Sequence, residues 1–207
     1  MNNLRMLCNI FLLAGVALCF TPQAHANIVQ NPGFETGDFT DWTINPGGAN
    51  PWVIRSGLNA YQGTFFAGTG CVGAPCITGT PVEQATLSQT LFTTPGQSYT
   101  ISFEFSTNAN PGAAEFVVQW NGTTVLDLGP GGTLGPVGTL NTYVLYSVPK
   151  VVATSNSSTL TFIGRQDTGY DAIDNIVVDP VDTPEPATAL LGLGLLPIMI
   201  YARRYRS

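Results

Sequence analysis

Histidine is almost absent from this 207-residue chain: the one copy, His25, stands near the N-terminus. Everything downstream of it lacks an imidazole, so neither a Ser-His-Asp triad nor a Cys-His pair can form there, and a zinc site built on histidine is excluded. Basic side chains are scarce as well, with seven Lys and Arg against thirteen Asp and Glu. A nucleic-acid binder needs Lys and Arg clustered on one face, and this balance excludes one. Charged residues make up only 10% of the chain, too few for a disordered acidic polymer. Cysteine is limited to four copies, of which Cys8 and Cys19 precede His25. The length suits one to one-and-a-half domains.

What is there divides into three stretches. The first, residues 1–26, reads as a secretory signal peptide. Arg5 supplies the positive start, Met6 to Phe20 form an apolar run, and Thr21 and Pro22 break it. Ala24-His25-Ala26 is a small-x-small cleavage site, so the mature chain is expected to begin after Ala26, at Asn27. The last stretch, residues 183–207, has three parts: Pro184-Glu185-Pro186, an uncharged apolar run from Ala187 to Ala202, and the cations Arg203, Arg204 and Arg206. As a helix those 16 residues reach about 24 Å, against a hydrocarbon core of about 30 Å. They are therefore expected to form a short transmembrane helix, with the arginines resisting translocation.

This ending resembles the PEP-CTERM sorting signal of Gram-negative, exopolysaccharide-producing bacteria. The match is carried by Pro184, Glu185 and Pro186, the apolar helix, and the terminal arginines. The resemblance implies an exosortase, a membrane-embedded cysteine protease, as partner. It also implies transient residence in the inner membrane before the protein reaches the cell surface or the medium. The alternative is a plain permanent anchor.

Residues 27–182 carry three basic side chains, Arg55, Lys150 and Arg165, against twelve acidic ones, a net charge of −9. A domain of this size buries about 70% of its unfolded surface and can fold alone. Its pattern is strand throughout. Ser98 to Ser106 alternates polar and apolar without a break, with Tyr99, Ile101, Phe103 and Phe105 on the inward face. Glu115–Trp120 and Thr123–Leu128 flank Asn121-Gly122, a hairpin signal. Further strands are expected at Asn141–Val148, Thr159–Ile163 and Ala172–Val178, and shorter ones at Trp52–Ile54, Gly63–Ala67 and Ala85–Thr93. Many short strands separated by turn residues indicate an all-β fold, a jelly-roll β-sandwich. Cys71 and Cys76, in an oxidising compartment, are expected to pair as a disulfide pinning a small loop.

A second resemblance covers most of this stretch. Asn31 to Trp42, reading NPGFETGDFTDW, looks like the opening of a galactose-binding-like jelly roll of the kind found in carbohydrate-binding modules. Leu87 to Thr90 with Thr94-Pro95-Gly96 and Tyr99 to Phe105 fits its middle, and Ala172 to Val178 its closing strand. In such modules the opening Glu and the closing-strand Asp often meet at a structural calcium. The resemblance therefore implies calcium at Glu35 and Asp174, with Asp171 a less firmly matched ligand. Calcium takes six to eight oxygens, so backbone carbonyls would complete the shell. The alternative is a pair of strand-end carboxylates that accept backbone hydrogen bonds.

Tryptophans 42, 52 and 120 and tyrosines 61, 143, 146 and 170 could stack on sugar rings. Large aromatics are usually buried, and the tryptophans sit in or beside apolar strand pattern, so the sequence names no binding platform. Glycoside hydrolysis needs only two carboxylates, but the Glu-x-Asp-x-x-Glu strand motif of jelly-roll glucanases is missing. The expectation is a non-catalytic component of the cell envelope or exopolysaccharide matrix, with binding of exopolysaccharide through the jelly roll as one reading of its role. Its rivals are a structural or adhesive surface protein without a sugar site and, more remotely, a glycoside hydrolase.

Overall fold

A computed structural model describes residues 26–46, 51–71, 84–108, 113–128, 142–167 and 169–181. The leader ahead of Ala26, Cys76, the Pro184–Pro186 motif, the apolar run after it and Arg203, Arg204 and Arg206 lie outside the described residues. So therefore does the expected Cys71–Cys76 pairing.

Among the described residues every regular element is a strand: β1 (Thr43–Asn45), β2 (Val53–Ser56), β3 (Phe65–Cys71), β4 (Ala85–Phe92), β5 (Ser98–Thr107), β6 (Ala113–Trp120), β7 (Thr123–Asp127), β8 (Val144–Val152), β9 (Ser157–Asp167) and β10 (Gly169–Pro180). Pairing arranges them in two antiparallel layers. One runs β1-β4-β9-β6-β7 and the other β2-β3-β10-β5-β8. A single parallel backbone pair, Cys71 with Asp167, joins the layers at one corner. The result is an all-β sandwich of the kind a jelly roll forms.

The alternation in β5 does what a half-buried strand requires. Tyr99, Ile101, Phe103 and Phe105 are all buried between the layers. Phe103 meets Phe116 of β6 and Phe162 of β9 at ring separations of 5.7 and 5.3 Å. All three tryptophans are core residues, and each indole N–H has a backbone acceptor: Asn31 for Trp42, Ala85 for Trp52 and Val152 for Trp120. That satisfies the polar end of a buried indole. The Asn121-Gly122 turn has φ of 51° and 77°, the left-handed pair that a two-residue hairpin needs.

Three elements differ from the sequence reading. Strand β9 runs to Asp167 rather than ending at Ile163, because Gly164 lies within the strand. A Cβ there would come within 2.6 Å of the Thr69 side chain and 3.0 Å of the Trp52 ring, so the glycine marks close packing and not a turn. Strand β8 begins at Val144 and continues through Pro149 to Val152. It is an edge strand, where a missing N–H is tolerated. The short β1 had no alternating pattern to announce it. Asn27, the expected first residue after cleavage, is tied into this frame: its side chain donates to Ile176 O and accepts from Val178 N.

Candidate functional site

The closing strand carries an irregularity that organises the site. Asp174 pairs with Glu104, but the next match is Val177 with Ser102, so β10 holds one extra residue. Asn175 at φ 48° absorbs this bulge. The N–H of Ile176 then donates to Pro32 O, docking the opening loop on the bulge. That loop is itself anchored by Phe34, fully buried at φ 60° against Trp42 and Phe39.

Between the opening loop and the bulge lies a cleft of about 580 Å³. Its walls are Asn31 to Gly33, Glu35 and Thr36 on one side, Gln62 and Gly63 on another, and Asp174 and Asn175 below. The two carboxylates singled out in the sequence therefore share one site. Each is held by backbone N–H groups. Glu35 accepts from Thr64 N at 3.0 and 3.1 Å and from Phe65 N at 3.0 Å. Asp174 accepts from Tyr61 N at 2.9 Å, Gln62 N at 3.1 Å and Asn175 N at 2.7 Å. Together they clamp the 57–64 loop to the sheet. Gly63, at φ 74°, is required here, because a Cβ would lie 2.4 Å from the Glu35 carboxyl carbon.

Burial pushes the Asp174 carboxyl up to about 6; the Glu35 charge adds to this, while the three N–H bonds pull against it. A cation between the two carboxylates would relieve that desolvated charge. In donor number the fit is incomplete: among the described residues no third Asp, Glu, His or Cys joins them. Asp171 in particular is not a neighbour. Strand alternation sends it to the opposite face of β10, into the interior. There its Oδ1 accepts from Gln166 Nε2 at 3.3 Å and its Oδ2 is buried without a partner. Burial pushes this acid up to about 7, against hydrogen bonds from Thr107 and Gln166 that pull it down.

The same strand alternation builds a second feature, invisible in the sequence, on the outer face of the β2-β3-β10-β5-β8 layer. Ser106, Ala172, Gly68 and Val53 line up across four strands in one row. In the adjoining row Leu145, Glu104 and Asp174 follow one another. Three tyrosines stand around this floor. Tyr61, 48% exposed on the clamped loop, packs against Tyr143 at 5.5 Å. Tyr143 donates to Asn59 O at 2.7 Å, and burial, with the Asp174 and Glu104 charges, raises its pKa. The Glu104 charge and its hydrogen bond raise that of Tyr61. At the far side Tyr170 carries the Arg55 guanidinium at 4.5 Å over its ring. Tyr146, the fourth tyrosine, points inward and stacks on Phe103. These side chains are far apart in sequence and none belongs to a motif, so only the pairing of the strands reveals them.

No protein-family model matches the chain, and no curated protein matches its sequence. Among solved structures, the carbohydrate-binding module TmCBM61, solved with β-1,4-galactotriose, shares the fold at a TM-score of 0.55 and 18% identity, over 75% of this chain and 99% of that one. A cyclase from Fischerella sp. TAU matches at 0.53 and 16%, covering 77% of this chain and 100% of its own. The K1 cleaved adhesin domain of Lys-gingipain from Porphyromonas gingivalis W83 matches at 0.51 and 15%, over 72% and 96%. At these identities the likeness concerns the fold alone. That one fold serves a sugar binder, an enzyme and an adhesin means the function must be argued from the site.

Proposed function

We propose that this chain is a non-catalytic carbohydrate-binding protein of the cell envelope or extracellular matrix, with its sugar site on the outer face of the β2-β3-β10-β5-β8 layer. The observation that carries this reading is the Tyr61–Tyr143 ring pair, with Tyr61 48% exposed on the loop that forms one wall of the Glu35–Asp174 cleft. Sugar rings present apolar C–H faces to aromatic rings and hydroxyls to polar groups. Here Tyr61, Tyr143 and Tyr170 supply rings. Two carboxylates near the site argue less for hydrolysis, because Asp174 and Glu35 are committed to backbone N–H bonds that hold the 57–64 loop. Within the same reading, Glu35 and Asp174 would hold a calcium ion in the cleft, with backbone carbonyls completing its shell. It would neutralise the clamp and fix Tyr61.

The test is co-sedimentation of the protein with the producing cell's exopolysaccharide, with and without chelator. Saturable binding that free oligosaccharide competes away, with no new reducing ends, is expected; chelation should weaken it. Absence of binding would leave the structural or adhesive reading, and release of reducing sugar would make the protein a hydrolase.

The sorting reading belongs to the same proposal. An exosortase recognises Pro184-Glu185-Pro186 and removes the tail, while Arg203, Arg204 and Arg206 hold it on the cytoplasmic side. Replacing Glu185 is then expected to leave the tail attached, seen as a heavier mature protein; an unchanged mature mass would reduce the tail to a simple anchor.

A further inference from the structure

Three turns and the exit of the chain are knitted into one end of the sandwich. The 93–97 turn bonds to the 153–156 turn through Thr93 N to Asn156 O at 3.0 Å, Gly96 N to Ala153 O at 2.8 Å and Ala153 N to Gln97 O at 3.0 Å. The Asn121-Gly122 turn joins them through Asn121 N to Thr159 O and the Asn121 amide to the Ser158 hydroxyl. Val181, just past β10, donates to Ser98 O, and Gln97 Nε2 donates to Val181 O at 2.6 Å. The chain therefore leaves the domain at this end, from a fixed point.

This end carries no charge. Phe92–Ser98, Asn121–Gly122, Val152–Ser157 and Pro180–Val181 contain no Asp, Glu, Lys or Arg, in a domain of net charge −9. Six large apolar side chains are exposed among the described residues, and three of them stand here: Phe92 at 91%, Val152 at 45% and Val181 at 37%. Val152 pairs with Ser98, whose carbonyl takes the Val181 N–H, so the two valines flank one residue. Phe92, the last residue of β4, pairs with Ser157 on the other layer. Close behind this end Lys150 is exposed on the edge strand β8, while Asp179 is half-buried.

We propose that this end is a membrane-docking surface, resting on the outer leaflet of the bilayer that the 187–202 run enters. This depends on the reading of that run as a membrane helix and adds to it a contact made by the folded domain. Reach supports it. From Val181 to Ala187 the chain has six steps, about 20 Å at full extension. The 11 residues of β9 span about 36 Å. The tether is shorter than the domain is long, so the end at Val181 is held at the lipid headgroups. Charge supports it too. Anionic headgroups repel the acidic parts of the domain over a Debye length of about 8 Å, and the end without acids meets them without that repulsion. Phe92 then enters the interface, with Lys150 set back at the level of the lipid phosphates. The strands stand upright on the bilayer, so the tyrosine-rimmed face looks sideways, open to polymer running along the surface.

The experiment reconstitutes the full-length chain into vesicles of phosphatidylethanolamine and phosphatidylglycerol in equal parts. A trace of phospholipid bears a photoreactive diazirine next to its headgroup, and mass spectrometry locates the adducts. They are expected on the 187–202 run and on residues 92–98, 152–157 and 180–181, with the 57–64 loop unlabelled although its Leu58 is fully exposed. Phe92→Glu is expected to cut labelling of the domain end at least threefold and to leave that of the tail unchanged, with unchanged circular dichroism confirming the fold. Adducts on the tail alone, or as many on the 57–64 loop as at this end, would overturn the docking and leave the membrane helix standing. An unchanged pattern in Phe92→Glu would overturn it equally. If the protein does not float with the vesicles and the tail gains no adducts, the membrane-helix reading falls and takes the docking with it.

Discussion

Replacing Asp171 with asparagine is expected to stabilise the protein at pH 8 by up to about 4 kcal/mol while changing little at pH 4. Asp171 is fully buried between the layers, with one carboxyl oxygen unpartnered. The oxygen of its neighbour Gln166 is also unpartnered, while the Gln166 amide nitrogen donates to Thr107 at 3.1 Å and to Asp171. Ionising this acid would leave a buried charge with no cation against it among the described residues, so the folded state holds the proton up to about pH 7. In the unfolded chain the same group loses it near 3.9. Between those values the folded protein binds more protons than the unfolded one, so stability falls as pH rises from about 4 through 7. Asp174, raised to about 6, contributes in the same direction over a narrower window. An amide cannot ionise, and it supplies N–H donors where the acid supplied O–H. Urea unfolding at pH 4, 6 and 8 would show a steep decline for the wild type and a shallower one for the variant. Equal slopes would mean that Asp171 is ionised in the fold.

The second large effect belongs to the clamp. Gly63→Ala is expected to lower stability by about 2–4 kcal/mol. Part of this, about 1 kcal/mol, is the strain of a Cβ at φ 74°. The rest follows from displacement of the Glu35 carboxylate, which strands the N–H groups of Thr64 and Phe65. The origin is checked by a double-mutant cycle. In a Glu35→Ala background the glycine substitution should show only the backbone part, because the carboxylate it would displace is gone. Strict additivity would mean that Gly63 serves the loop for a reason unconnected with Glu35. Loosening the clamp also frees Tyr61, so the single variant should bind glycan more weakly than its residual stability alone would explain.

Both effects come from residues whose role was only half visible in the chain. Glu35 and Asp174 were legible as a pair through the resemblance of the opening segment and the closing strand, and the fold does bring them to one cleft. Their immediate partners were not legible. The 57–64 loop that they hold has no apolar period, and its bonds to Asp174 span more than a hundred residues. Asp171 sits three positions from Asp174, close enough to look like a companion ligand. A strand places residues an odd number apart on opposite faces, and that parity separates the two. The core was easier to read: the unbroken alternation of β5 and the Asn121-Gly122 turn are local signals that long-range packing did not overrule. Gly164 misled because a glycine inside a strand looks like a turn until the Trp52 ring and the Thr69 methyl are seen pressed against it. The three surface tyrosines carry no local signal at all. Tyr61, Tyr143 and Tyr170 come to one face only because β10 lies between β3 and β5, and β8 flanks β5.

Side-chain footprinting tests directly whether a glycan binds on this face. Hydroxyl-radical oxidation of the full-length chain, read by mass spectrometry, would be compared with and without saturating exopolysaccharide. Protection of Tyr61, Tyr143 and Tyr170 is expected, with Phe92, which is 91% exposed on the other layer, oxidised equally in both samples. Unchanged oxidation of the three tyrosines in the presence of bound polymer, or protection centred on Phe92, would contradict the assignment of the sugar site to this face.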